Sequence, residues 1–213
     1  MNKEIIPPKS AKGRVTDSPD VRYSKTLSYI LRHGALKEGL FIRKDGFIKV
    51  DDLLQRPKLK GLDYELLQHL VRTNDKKRYQ LLDEDGVKLI RAVQGHTLDT
   101  SDLELTQILK PSDASIAVHG TNPDAWNKIK NEGLKTMGRQ YIHLATGLPG
   151  DSEVISGMRK QSSIFIYINL EQSLEDGVKF FKSLNGVILT NGLDGTLPTK
   201  YFAKVQNKDG LDI

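Results

Sequence analysis

Cysteine is absent from the 213 residues, which excludes disulfides, thiolate metal sites, iron–sulfur clusters and cysteine nucleophiles. Long apolar runs are also missing. The strongest, Ile164-Phe165-Ile166-Tyr167-Ile168, is strand-length and far short of the ~20 residues that cross a bilayer. None of the signatures G-x-G-x-x-G, G-x-x-x-x-G-K-[ST] or G-x-S-x-G occurs, so a Rossmann fingerprint, a P-loop and a hydrolase elbow are not supported. The five histidines (His33, His69, His96, His119, His143) lack H-x-x-x-H and H-E-x-x-H spacing, and no metal site is predicted. Residues 1–20 are polar, lack the apolar segment of a secretory signal, and read as a flexible tail. These absences predict an intracellular protein, cytoplasmic or nuclear and not secreted, with no membrane contact; we read it as a monomer.

What is present is ordinary in amount and uneven in placement. Hydrophobic residues make up 38% and charged residues 28%, enough apolar content for a buried core. The length suits one or two domains. Net charge is 32 − 27 = +5. Residues 1–110 hold 21 basic and 16 acidic side chains and residues 111–213 hold 11 of each, so the whole excess lies in the first half. A basic half joined to a neutral one suggests a phosphate-rich partner for the first and a separate task for the second.

Periodicity divides the chain in the same way. Leu27, Ile30 and Leu31 mark a helix with Gly34 as its closing residue. A short strand is predicted at 47–50, then a brief helix at 52–55 capped by Asp51, and a second helix opened by Asp63. Strands at 78–82 and 87–93 flank the turn Asp83-Glu84-Asp85-Gly86. Helix, strand, helix, helix, hairpin is the order of a winged helix-turn-helix. Residues 99–113 read as a linker. Beyond it, strands are predicted at 116–119, 141–145, 163–170, 187–190 and 200–205. Gly120-Thr121 reads as a turn, Asn122-Pro123 as the start of a helix closed by Gly133, and 173–184 as a helix interrupted by Gly177. The expected fold class is α+β: a tail at 1–20, a first domain at 21–98, a linker at 99–113 and a second domain at 114–213.

Arg32 and His33 close the first helix, away from its apolar stripe. Cations are favoured at a helix C-terminus, so the plain reading is dipole compensation. The functional one is a guanidinium fork for phosphate beside a proton donor. His69, inside the Leu66/Leu67/Leu70 helix, reads as structural. Lys76-Lys77-Arg78 opens the hairpin where such a fold meets a phosphate backbone. In the second half, His119-Gly120-Thr121-Asn122, Arg139 with His143, and Ser156-Gly157-Met158-Arg159 gather polar and cationic residues at strand edges.

These motifs occur in one order: Ser24-Lys25-x-Leu27-Ser28-Tyr29-x-Leu31-Arg32-His33, Asn74-Asp75-Lys76-x-Arg78-Tyr79, Gln94-Gly95-His96, His119-Gly120-Thr121, Arg139-x-x-x-His143-Leu144 and Val154-Ile155-Ser156-Gly157-Met158-Arg159. Together they resemble the tRNA 2′-phosphotransferase family over residues 22–205. The resemblance implies a winged-helix RNA-binding lobe followed by an ADP-ribosyltransferase-like NAD-binding lobe, with the reaction where the two meet. It implies transfer of an internal 2′-phosphate of spliced tRNA to NAD, the last step of tRNA splicing, without a metal. An RNA-2′-phospho-ADP-ribose intermediate yields 2′-hydroxyl RNA, ADP-ribose 1″,2″-cyclic phosphate and nicotinamide. By the same resemblance, Arg32, His33, Arg78 and Arg139 are catalytic; His119, Gly120, Thr121, Asn122, His143, Ser156, Gly157 and Arg159 bind NAD; Lys25, Lys76 and Lys77 bind RNA. Strand 187–190 lacks the catalytic Glu of many ADP-ribosyltransferases, as the resembled family does. The alternative on the same scaffold is ADP-ribosylation of terminal phosphates of nucleic acids.

Overall fold

The computed structural model describes residues 17–151, 157–159 and 161–213. The chain divides into two compact units between Glu104 and Leu105, and both mix helices with antiparallel sheets. The fold is therefore α+β.

The first unit opens with α1 (Pro19–Tyr29), where Ser18 caps the amide of Val21 and Pro19 occupies the first helical position. Leu27, Ile30 and Leu31 are fully buried, together about 5–9 kcal/mol of apolar transfer. Eleven residues gain little from helix propensity alone, so this packing holds the helix. The helical winding does not close at Gly34 as expected. It runs into one turn of π-helix, Ile30–Gly34, then a 3₁₀ turn, Leu36–Glu38, and the left-handed closing residue is Gly39 at φ +69°. Gly34 serves another need: a Cβ there would lie 2.6 Å from the Tyr29 ring.

Next come β1 (Ile48–Lys49), α2 (Val50–Leu54), α3 (Tyr64–Arg72), β2 (Tyr79–Glu84) and β3 (Val87–Ala92). Asp51 lies within the first turn of α2, which starts at Val50 after an extended Lys49. Asp63 caps α3 as expected, accepting from the Leu66 amide at 2.8 Å. Asp85 and Gly86, at φ +53° and +82°, make the tight hairpin turn. The sheet order is β1-β3-β2, and Ile48, Leu53, Leu67 and Ile90 pack beneath it with the α1 stripe.

The second unit holds β4 (Leu105–Ile108), β5 (Val118–Thr121), α4 (Pro123–Glu132), β6 (Leu134–Lys135), β7 (Ile142–Leu144), β8 (Ile164–Ile168), α5 (Leu170–Glu175), β9 (Phe180–Ser183), β10 (Ile188–Thr190), β11 (Thr196–Leu197) and β12 (Phe202–Asn207). They form sheets β4-β9-β10-β7 and β12-β8-β5, with β11 beside β6. Three segments depart from expectation. The stretch read as a linker contains β4, which pairs with β9. The helix expected at 173–184 is two elements: α5 starts earlier on an Asn169 cap, Gly177 breaks the chain at φ +82°, and β9 follows. Pairing on both sides, with Phe180 wholly buried, overrides helical propensity in β9. Gly120 and Thr121 are strand residues, paired with Phe165 and Ile164. The Asn122 cap and the Gly133 end of α4 are as expected.

Candidate functional site

In the first unit, Arg32 and His33 lie in the π-turn that follows α1, a distortion found often at functional sites. A loop after β3 grips this turn. The Thr97 amide donates to the Arg32 carbonyl at 3.0 Å. The Thr97 hydroxyl lies 3.1 Å from His33 Nδ1. Gly95, at φ +89°, lays its backbone along the Arg32 side chain, where a Cβ would sit 3.5 Å from Cδ, Nε and Cζ. His96 is 2% exposed and neither ring nitrogen has a hydrogen-bond partner. Its pKa falls to about 3, chiefly through burial and further through the charges of Arg32, His33 and Arg91. It is a neutral imidazole packed among cations.

Arg78 is held from two sides. Asn74 Oδ1 accepts from its amide at 3.0 Å and from its guanidinium Nη1 at 3.4 Å, and Lys77 takes a left-handed conformation, φ +42°, to make that turn. The Arg78 carbonyl accepts from the Val93 amide at 3.0 Å. Residues 93–97 thus bond the backbone of Arg78 at one end and of Arg32 at the other, tying the main chain of both residues to one short loop. Arg91 has a structural task. Buried over the Phe47 ring, it donates to Gln80, to the Asp45 carbonyl and to Glu104. Of the expected RNA contacts, Lys25 pairs with Asp17 at 2.7 Å, Lys77 is exposed and Lys76 half-buried. His69 is exposed, contrary to its structural reading: with Glu65, Gln68, Arg72 and Leu81 it lines a groove of about 480 Å³ on α3.

In the second unit, the His119 Nδ1–H donates to the His143 carbonyl at 3.0 Å, since a carbonyl can only accept. Burial lowers the His119 pKa, the His143 bond opposes this, and the Arg159 charge lowers it further. The ring is therefore neutral at physiological pH, with its lone pair on Nε2. Gly120 allows Met158 to lie against β5; a Cβ would be 2.4 Å from Met158 Cγ. Gly157, at φ +106°, lies against Ala145, where a Cβ would be 3.0 Å from Cα. Ala145 in turn exchanges backbone bonds with Val118. His119, Gly120, His143 and Gly157 thus share one neighbourhood. Arg139 follows a turn of two left-handed residues, Met137 and Gly138, and its amide donates to the Thr136 carbonyl. It is exposed, and both the surrounding protein and the Arg159 charge lower its pKa. Two guanidiniums that repel one another suit a doubly charged anion.

Asn122 uses its side chain to cap α4, accepting from the Ala125 amide at 2.9 Å. Thr121 is buried. Ser156 lies outside the described residues. A groove of about 420 Å³, between Ala114 and Lys204, includes none of these residues. Among the described residues, no group of three or more His, Asp or Glu could hold a metal ion, and no helix is long and apolar enough to cross a membrane.

Asn74, Tyr79, His96 and Thr97 carry the architecture around Arg32 and Arg78 without having been assigned roles from sequence. Three of them lie inside the quoted motifs. Thr97 directly follows Gln94-Gly95-His96, and its contacts span 64 and 65 residues of chain, a pairing no local pattern records.

The sequence profile of the family described as "RNA 2'-phosphotransferase, Tpt1 / KptA family" matches residues 18–192. A human protein named tRNA 2'-phosphotransferase 1 is 49% identical over 187 residues, covering 86% of this chain and 74% of its own. The tRNA 2'-phosphotransferase of Saccharomyces cerevisiae is 35% identical over 205 residues, covering 91% and 88%. A Schizosaccharomyces pombe relative is 46% identical over 190 residues, 89% of this chain, and this chain spans 52% of that protein's length.

Proposed function

The chain belongs to the RNA 2′-phosphotransferase family, and we propose that it is an enzyme that removes the 2′-phosphate of spliced tRNA by transfer to NAD. NAD supplies an electrophilic anomeric carbon with nicotinamide as its leaving group. A phosphate dianion needs no proton removed before it attacks, so the protein's first task is to orient it. Arg32, Arg78 and Arg139 take that task. When negative charge later builds on phosphorus, the same guanidiniums stabilise it in place of a metal. His33 carries the proton or donates to the phosphate. Lys25, Lys76 and Lys77 give the first unit its contacts with the RNA backbone.

The second unit fits a dinucleotide. Neutral His119 accepts from a ribose hydroxyl through Nε2, Arg159 meets the diphosphate, Gly120, Thr121, Asn122, His143 and Gly157 shape the surface, and Ser156 keeps the NAD-binding role that the resemblance implies. The element order and the β1-β3-β2 sheet support a winged-helix reading of the first unit. The paired antiparallel sheets support an ADP-ribosyltransferase-like reading of the second. We take the enzyme to be intracellular and monomeric.

The observation that carries the proposal is the segment 93–97, which ties Arg78 and Arg32 to one short loop. The test is incubation with a 2′-phosphorylated oligonucleotide, with and without NAD, and identification of every product. ADP-ribose 1″,2″-cyclic phosphate and 2′-hydroxyl RNA, formed only with NAD, support it. A stable ADP-ribosyl adduct on a terminal phosphate assigns the alternative reaction, and no nicotinamide release overturns both.

A further inference from the structure

A hydroxyl has one proton to give, and Thr97 has two neighbours that could take it. Its Oγ1 lies 3.4 Å from the Arg32 carbonyl, to which it donates, and 3.1 Å from His33 Nδ1. The carbonyl can only accept. Both contacts are satisfied in one arrangement: Thr97 gives its proton to Arg32 and accepts from an Nδ1–H of His33. The Thr97 amide, bonded to the same carbonyl at 3.0 Å, fixes the residue in place, and the loop that carries it is buried from Val93 to His96. The Tyr29 ring lies 6.5 Å from the imidazole.

We propose that Thr97 is a positioning residue whose hydroxyl holds His33 in the Nδ1–H tautomer, placing the lone pair of the neutral ring on Nε2. This rests on the reading of His33 as the group that handles a proton at the phosphate. Orientation of a catalytic imidazole by a partner on its other nitrogen is a general device, and here a threonine fills the place often taken by a carboxylate.

The test compares wild type, Thr97→Val and Thr97→Ser by nitrogen-detected NMR of the histidine rings, without RNA or NAD, at a pH where an ordinary imidazole is neutral. The His33 signals are assigned by their loss in His33→Asn. Wild type and Thr97→Ser should show the Nδ1–H signature. Thr97→Val should shift toward Nε2–H, with kcat down about tenfold, KM for NAD unchanged, and turnover regained in Thr97→Ser. An Nε2–H signature in wild type, or an unchanged His33 spectrum in Thr97→Val, overturns the proposal. Failure of the wider reading would appear elsewhere, as a wild type that forms no product while its His33 spectrum is as expected.

Discussion

The phenol of Tyr79 donates to the backbone carbonyl of Ser24 at 2.6 Å, with the Ser28 hydroxyl 2.6 Å away on the same oxygen. Because the phenol proton is committed to Ser24, Ser28 donates to Tyr79. This clamp fastens the start of β2, next to Arg78, onto α1 upstream of Arg32. Ser24, Ser28 and Tyr79, all motif residues, thus act through architecture.

Tyr79→Phe should therefore lose stability and alignment together. A buried hydrogen-bonded hydroxyl is worth about 1–2 kcal/mol, and Ser28 would lose its acceptor as well. Thermal unfolding should shift down by several degrees, and kcat should fall while KM for NAD holds. Wild-type stability in the variant would show that the clamp is idle.

His96 gives a pH dependence with a definite sign. Its folded pKa, about 3, is below the ordinary 6.5, because burial and then the charges of Arg32, His33 and Arg91 disfavour the protonated ring. The unfolded chain takes up a proton below pH 6.5 and the folded one does not, so stability is lost as pH falls from about 6.5 toward 3. Between pH 7 and pH 5 this single group should cost about 2 kcal/mol. Denaturant titrations should show that loss in wild type and a loss smaller by about that amount in His96→Asn.

Asn74→Ala removes the acceptor that holds both the amide and the guanidinium of Arg78. We expect kcat to fall about tenfold, against about 10²–10³ for Arg78→Ala, the range for removing a transition-state donor outright. Equal losses in the two variants would mean that Asn74 does more than orient its neighbour.

Gly120→Ala drives a methyl into Met158, 2.4 Å away at Cγ. Overpacking of this kind costs about 1–3 kcal/mol, and the displaced thioether should raise KM for NAD. Adding Met158→Ala should restore part of both. A double variant no better than the single one would place the conflict at Ser162, 2.7 Å from the same point.

Charge and periodicity change together near residue 110, and the chain divides into two compact units between Glu104 and Leu105. The sequence revealed α3, the hairpin and α4, whose caps Asp63, Asp85-Gly86 and Asn122 act locally. It did not reveal β9, because Phe180 is held between the nearby β10 and β4, which lies some 70 residues away in the chain. Nor did it reveal the π-turn, since Ile30 and Leu31 suit an α-helix equally well. Arg32, His33 and Arg78 were named through a resemblance. What holds them, Asn74 apart, is contact between distant segments, and spacing along the chain carries no trace of that.

The π-turn also constrains length. One turn of π-helix accommodates an extra residue, and each residue of an α-helix turns the next by about 100°. Removing a single residue between Tyr29 and Gly34 would return the segment to regular winding and swing Arg32 and His33 away from the loop at 94–97. Here a deletion would do more damage than many substitutions, because register, and not side-chain identity alone, aims the two side chains.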